Sequence, residues 1–256
     1  MRVFIAGDST AVTRPVSYLP MAGWGQMLPL FLADDVDVIN CARGRASSKS
    51  FYERGRFQWI TANLAPGDYV LISFGQVDCM VDDGLHTEPF DDFQAFLRRY
   101  VEGARTAGAH PVLVIPHERR RFDKHGNLER YLGDYPVATS EVALAEAVPL
   151  IDLYGQSVDW WQELGSERAK EVFVYLRPGE PIMPKVQDLD DIHLRAPGAI
   201  ECARFVARSL RDQGVLPASL VTGLDRYSFD ASELGWLDEE TFHRRTSERS
   251  GPAVAA

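Results

Sequence analysis

The chain of 256 residues is 45% apolar and 25% charged, which suits one sizeable globular domain or two small ones. Its 27 Lys and Arg against 37 Asp and Glu leave a net charge of −10, which argues against nucleic acid or an anionic membrane as a partner. No apolar stretch approaches the ~18–20 residues needed to span a bilayer. Met1-Arg2 leads straight into the first predicted strand, so no signal peptide is expected. Cys41, Cys79 and Cys202 lack metal-ligand spacing and cannot all pair, so the expectation is a cytoplasmic protein with reduced thiols.

The first predicted strand, Val3–Ala6, is an apolar run that ends in Gly7-Asp8-Ser9-Thr10. Those that follow are Val36–Asn40, Tyr69–Phe74, Pro111–Ile115 and Pro149–Leu153. Most are near-continuous apolar runs, as expected of strands buried on both faces of a parallel sheet. Between the third and fourth, Phe93, Phe96, Leu97, Tyr100, Val101 and Ala104 recur at helical spacing, and Gly108 stops the helix. Residues 137–147 and 197–212 also read as helices, the second entered through Pro197-Gly198. Residues 116–135 are polar and Arg-rich and read as a surface excursion, in which His117 and Arg119-Arg120-Arg121 are either anion-binding or solvated and salt-bridged. Residues 176–189 hold three prolines and a glycine, a rigid loop that leads into Asp190. After Gln213-Gly214 the pattern weakens. The expectation is therefore a domain over 1–213 and an extension over 214–256, whose Leu234 to Phe242 part docks on the body and whose last ten or so residues are disordered.

Five strands alternating with helices predict a three-layer α/β/α sandwich around a five-stranded parallel sheet. Ligands of such folds bind at the carboxyl ends of the strands. Gly7-Asp8-Ser9, Asn40–Ser48 and Gly75–Asp78 all fall at such ends, so one site can collect all three. Ser9 would stand at a strand-to-helix turn, where backbone N–H groups and the helix dipole favour developing negative charge. A serine hydroxyl needs a base to take its proton, and the base needs an orienting acid. Asp190 and His193, three residues apart on a predicted loop or turn, can supply both, because the carboxylate can fold back on one ring nitrogen while the other faces a serine.

The sequence resembles the SGNH (GDSL-like) hydrolases, and within them the branch of rhamnogalacturonan acetylesterase and related carbohydrate acetylesterases. Gly7-Asp8-Ser9-Thr10 is similar to the family's first block, and Ala22-Gly23-Trp24-Gly25-Gln26-Met27-Leu28 to a Thr-Gly-Trp-Gly-Gln segment of the branch. Asn40 through Phe51 resembles the second block, Phe74-Gly75-Gln76-Val77-Asp78 the third, and Asp190-Asp191-Ile192-His193 the last. Arg119 to Asp123 and Leu132 to Pro136 are also similar to the branch, so the likeness covers roughly residues 2–212. It implies the flavodoxin-like three-layer fold and no metal or organic cofactor. It further implies Ser9 as nucleophile, His193 as base and then acid, and Asp190 as orienter, with Asp8 shaping the turn.

Two departures bear on the oxyanion hole, which the resemblance implies is built from the Ser9 N–H, a second-block glycine N–H and a third-block asparagine side chain. The glycine position falls on Arg45, with Gly44 one residue earlier, and either still donates a backbone N–H. The asparagine position is Val77, which has no side-chain donor; Gln76 or Ser47 are the candidate substitutes, and Gln76 can equally be a packing replacement. Trp24 and Asp78 are candidate substrate-binding residues, Trp24 by stacking on a sugar and Asp78 at the loop it also anchors; for Trp24 the competing role is packing. The expected activity is a serine esterase that removes a small acyl group, most simply acetyl, from a carbohydrate or glycosylated metabolite. The alternatives are a catalytically impaired protein of the same fold that binds a carbohydrate or partner, and an acyltransferase using the same three residues.

Overall fold

The structure, a computed structural model, describes residues 1–81, 84–180, 186 and 189–249. In chain order its strands are β1 (Arg2–Gly7), β2 (Met21–Ala22), β3 (Asp37–Asn40), β4 (Tyr69–Ser73), β5 (His110–Ile115), β6 (Leu150–Asp152), β7 (Phe173–Tyr175) and β8 (Leu189–Arg195). The α-helices are α1 (Trp24–Met27), α2 (Ser48–Glu53), α3 (Arg56–Asn63), α4 (Gln94–Thr106), α5 (Tyr135–Ala145), α6 (Leu153–Arg168), α7 (Ala196–Asp212) and α8 (Glu239–Glu248). Five strands form a parallel sheet in the order β3-β1-β4-β5-β6, and the five predicted strands are the five that build it.

Residues of β1 alternate between two apolar cores, as the two-residue period of a strand requires. Val3 and Ile5 join Trp24, Met27, Trp161 and the buried side of α7, whereas Phe4 and Ala6 join Phe51, Phe57, Tyr100 and Val142. Helices thus cover both faces, which is why the strands read as unbroken apolar runs. The chain leaves β1 toward β3 on one side and reaches β4 on the other. The carboxyl ends of β1 and β4 therefore flank the crevice where strand order reverses.

Beside this sheet stands a small antiparallel one, β2-β8-β7, which the sequence does not announce. Its strand β8 carries Asp190 and His193, so the predicted loop is a strand interrupted by a bulge. Phe173 pairs with Leu194 and the next residue, Val174, with Asp190, so Asp191, Ile192 and His193 loop out opposite a single step of β7.

The chain beyond α7 returns along the body. Phe229 packs edge-on against Phe31, with ring centroids 5.7 Å apart. The Leu237 N–H donates to the Arg14 carbonyl (3.1 Å) and the Arg249 guanidinium to the Asn40 carbonyl (2.7 Å). Of the end for which disorder is expected, residues 250–256 lie outside the described residues.

Candidate active site

No helix follows Ser9. The chain turns at Asp8–Ala11 and reaches β2 through an extended stretch and one 3-10 turn at Val16–Tyr18, so the helix-dipole argument does not apply to this serine. What shapes the turn is Asp8, fully buried, whose carboxylate accepts from the Thr10 N–H (2.9 Å), the Thr10 hydroxyl (2.7 Å) and the Gln76 N–H (3.3 Å). Burial raises the Asp8 carboxyl above the ordinary range, against those hydrogen bonds. The turn is supported from below by Gly23-Trp24-Gly25. A Cβ on Gly23 would lie 2.4 Å from the Val12 carbonyl oxygen, and one on Gly25 2.5 Å from that of Ala11. Trp24 itself is 0% exposed, in the core, and donates its backbone N–H to the Thr10 carbonyl (3.0 Å). It therefore has no face for a sugar, and its candidacy for substrate stacking is corrected to packing under the serine loop.

Ser9, His193 and Asp190 meet although 184 residues separate the serine from the histidine. The Ser9 hydroxyl lies 2.9 Å from His193 Nε2, and His193 Nδ1 2.7 Å from Asp190 Oδ2. A carboxylate can only accept, so the ring proton sits on Nδ1 and leaves the Nε2 lone pair facing the serine. Asp190 Oδ1 also accepts from the N–H groups of Ile192 (2.8 Å) and His193 (2.9 Å), which closes the bulge and brings residues 190 and 193 to the same side. Burial works to raise the Asp190 carboxyl, but the His193 side chain and these backbone donors outweigh it, and the group lies below the ordinary carboxylate range.

The three residues open on a cleft of about 730 Å³, also lined by Arg14, Gly44, Arg45, Gln76, Val77 and Arg119. Arg45 takes a positive φ of 57°, the left-handed region that favours glycine, while a Cβ on Gly44 would meet nothing. Position 45 as the place of the family's glycine is therefore consistent with the backbone. Val77 is buried at the cleft wall and brings no side-chain donor. Gln76 does not make good the loss: its Nε2 donates to the His117 carbonyl (2.5 Å) and its Oε1 accepts from Arg119 Nε (2.8 Å). Nor does Ser47, whose buried hydroxyl caps α2 by accepting the Ser50 N–H (3.1 Å).

Asp78 is fully buried and stands outside the cleft lining. Its carboxyl accepts from the Ser48 N–H (2.9 Å), the Ser48 hydroxyl (2.5 Å), the Gly75 N–H (3.1 Å) and the Thr87 hydroxyl (2.9 Å). This ties the second and third blocks together, and the substrate-binding assignment is corrected to that of a loop anchor. Burial pushes its carboxyl up to about 7. The surface reading of residues 116–135 also changes. Arg119 is buried on Gln76 and the Tyr131 ring, and Arg120 pairs with Asp191 (2.9 Å). His117 is fully buried, and burial lowers it to about 4. Among the described residues no group of three or more His, Cys, Asp or Glu could hold a metal ion, and no helix is long and apolar enough to cross a membrane.

The pattern of the GDSL-like lipase/acylhydrolase family matches residues 5–199. The chain is 40% identical to rhamnogalacturonan acetylesterase RhgT of Bacillus subtilis (strain 168) over 216 residues, 84% of this chain and 91% of that protein. Among solved structures, the YxiM protein of Bacillus subtilis superposes with a TM-score of 0.69 at 27% identity, over 83% of this chain and 56% of that one. An acetylxylan esterase from Geobacillus stearothermophilus shares the fold at 14% identity, with a TM-score of 0.56 over 82% of this chain and 94% of that one.

Proposed function

The chain belongs to the GDSL-like lipase/acylhydrolase family, and on that premise we propose that it is a serine esterase that removes acetyl groups from a carbohydrate ester. The observation that carries the reading is the unbroken hydrogen-bonded chain Ser9–His193–Asp190 at the wall of an open cleft. As the Ser9 hydroxyl oxygen attacks the ester carbonyl, its proton passes to His193 Nε2, and Asp190 stabilises the imidazolium that results. The tetrahedral oxyanion is met by backbone N–H groups, those of Ser9 and of Gly44 or Arg45. His193 then returns the proton to the departing sugar alkoxide, leaving acetyl-Ser9. Water, deprotonated by the same nitrogen, releases acetate and restores the serine.

The rhamnogalacturonan esterase likeness and the arginines of the cleft support an oligosaccharide or smaller glycoside as the acetyl carrier. Residues 1–213 are read as the catalytic unit and 214–256 as an extension. The unpaired thiols of Cys41, Cys79 and Cys202 support a reducing compartment.

The test is acetate release from p-nitrophenyl acetate and a panel of neutral and acidic acetylated oligosaccharides, beside Ser9→Ala and His193→Ala. The expected result is turnover by the native protein, loss of at least about 10⁴-fold in both variants, and fluorophosphonate labelling of Ser9. A native protein as inactive as Ser9→Ala across the panel, and unlabelled, would favour a binding protein of the same fold.

A further inference from the structure

Arg14 is buried against the same cleft, five residues after Ser9. Its Nη2 donates to the Ser9 carbonyl (2.8 Å), and its guanidinium lies 5.0 Å from the centroid of the Tyr18 ring. Its Nε is buried with no hydrogen-bond partner. Burial lowers the group to about 10, against the attraction of Tyr18, Asp190 and Asp8, so it remains a cation at neutral pH. A buried guanidinium with an unsatisfied N–H is costly in the resting protein. The cost is offset where negative charge develops beside it during a reaction, as on an ester carbonyl attacked by Ser9.

Arg14 is also held from an unexpected direction. Its N–H donates to Gln26 Oε1 (3.0 Å), and Gln26 Nε2 donates to the Leu234 carbonyl (2.8 Å). Its own carbonyl accepts the Leu237 N–H (3.1 Å). Leu234 and Leu237 lie in the extension, beyond residue 199 where the family match ends.

We infer that Arg14 is a positioning residue that fixes the Ser9 peptide and sets a positive charge beside the developing oxyanion, and that the C-terminal extension completes the site by clamping Arg14. The inference rests on Ser9 being the nucleophile. It supplies a reason why a site with Val77 in place of a side-chain donor can still turn over.

The experiment measures kcat and KM on p-nitrophenyl acetate for Arg14→Gln, Arg14→Lys, Gln26→Met and the double variant Arg14→Gln/Gln26→Met. Arg14→Gln is expected to lower kcat about 10- to 100-fold with KM changed less than about twofold, the signature of an interaction made in the transition state. Arg14→Lys, which keeps the charge, is expected to regain about fivefold or more. Gln26→Met is expected to lower kcat several-fold and to add nothing to Arg14→Gln in the double variant, because both act through one group. Native kcat in Arg14→Gln, a loss confined to KM, or a lysine no better than glutamine overturns the role of Arg14. Full additivity of the two substitutions overturns the clamp. Should Arg14→Gln not fold, Gln26→Met decides by the same split of kcat from KM. A native protein that is neither labelled by fluorophosphonate nor active sinks the esterase reading and this inference with it. A labelled and active native protein whose Arg14→Gln variant matches it sinks this inference alone.

Discussion

The two walls of the cleft are each organised by an aspartate, the half-buried Asp190 and the fully buried Asp78, in opposite electrostatic situations. On the β8 wall, Asp190 accepts from His193 Nδ1 and two N–H groups and lies below the ordinary carboxylate range. On the wall made by the second- and third-block loops, Asp78 accepts from Ser48, Gly75 and Thr87 and is pushed by burial up to about 7. In the proposed mechanism Asp190 is one side chain from the proton that moves, and its charge would steady the imidazolium. Asp78 touches only fixed donors, and its work ends once the loops are joined. The walls also differ in completeness. Every bond of the serine–histidine–aspartate chain is present, whereas the facing wall presents Val77 where the family pattern has asparagine. A proton relay fails if one link is missing, while stabilisation of an oxyanion is a sum over donors and charges and survives the loss of one.

The sharpest way to break the contrast is Asp190→Asn. An amide in that place fits the shape but favours the wrong histidine tautomer, so kcat should fall about 10³- to 10⁴-fold with fold and KM retained. Steady-state kinetics beside circular dichroism checks this; a loss below tenfold would remove Asp190 from the relay.

Next in size is the pH dependence of stability that comes from Asp78. Its folded value of about 7 lies above the unfolded 3.8, so the native protein binds a proton that the unfolded chain releases between them. Stability from this group is therefore fully present below about pH 4 and is lost as pH rises toward 7, by roughly 4 kcal/mol at most. Denaturant unfolding across that window should show the native protein losing more stability than Asp78→Asn as pH rises, the difference isolating Asp78 because Asp8 and His117 titrate in both proteins. Asp190 contributes with the opposite sign: its stabilisation is present above the unfolded value and fades as pH falls through the lower folded one.

Val77→Asn tests the incomplete wall. Restoring a side-chain donor should raise kcat about 10- to 100-fold with little change in KM. An unchanged kcat would mean that the hole never uses that position.

The smallest effect belongs to Arg45→Gly, which relieves the positive φ and should stabilise the fold by up to about 1 kcal/mol, read as a higher thermal midpoint. A lower midpoint would show that the arginine side chain contributes more by its contacts than its backbone costs.

Residues alone carried the five strands of the main sheet, because strands buried on both faces must be apolar throughout, and they carried the long amphipathic helices by period. Val3–Ala6, Tyr69–Phe74 and Pro111–Ile115 are legible for that reason, as is the stripe Phe93 to Ala104. The second sheet was not legible. Strand β8 reads Leu-Asp-Asp-Ile-His-Leu-Arg, with no alternation, and it is a strand only because β7 and β2 pair with its backbone. The same bulge that hides it from pattern reading brings Asp190 and His193 to one side.

The residues alone thus establish the chemistry on offer: a serine after the first strand, an acid and a base three residues apart near the other end, and a missing amide at Val77. Which groups face the cleft is fixed by long-range packing. It sent Trp24 and Asp78 inward, turned the Gln76 amide to His117 and Arg119, and set Arg14 beside Ser9 under the hold of Gln26 and Leu237. The reason is physical: period and composition report which side chains can be buried, but the direction of a polar group is set by partners far away in the chain.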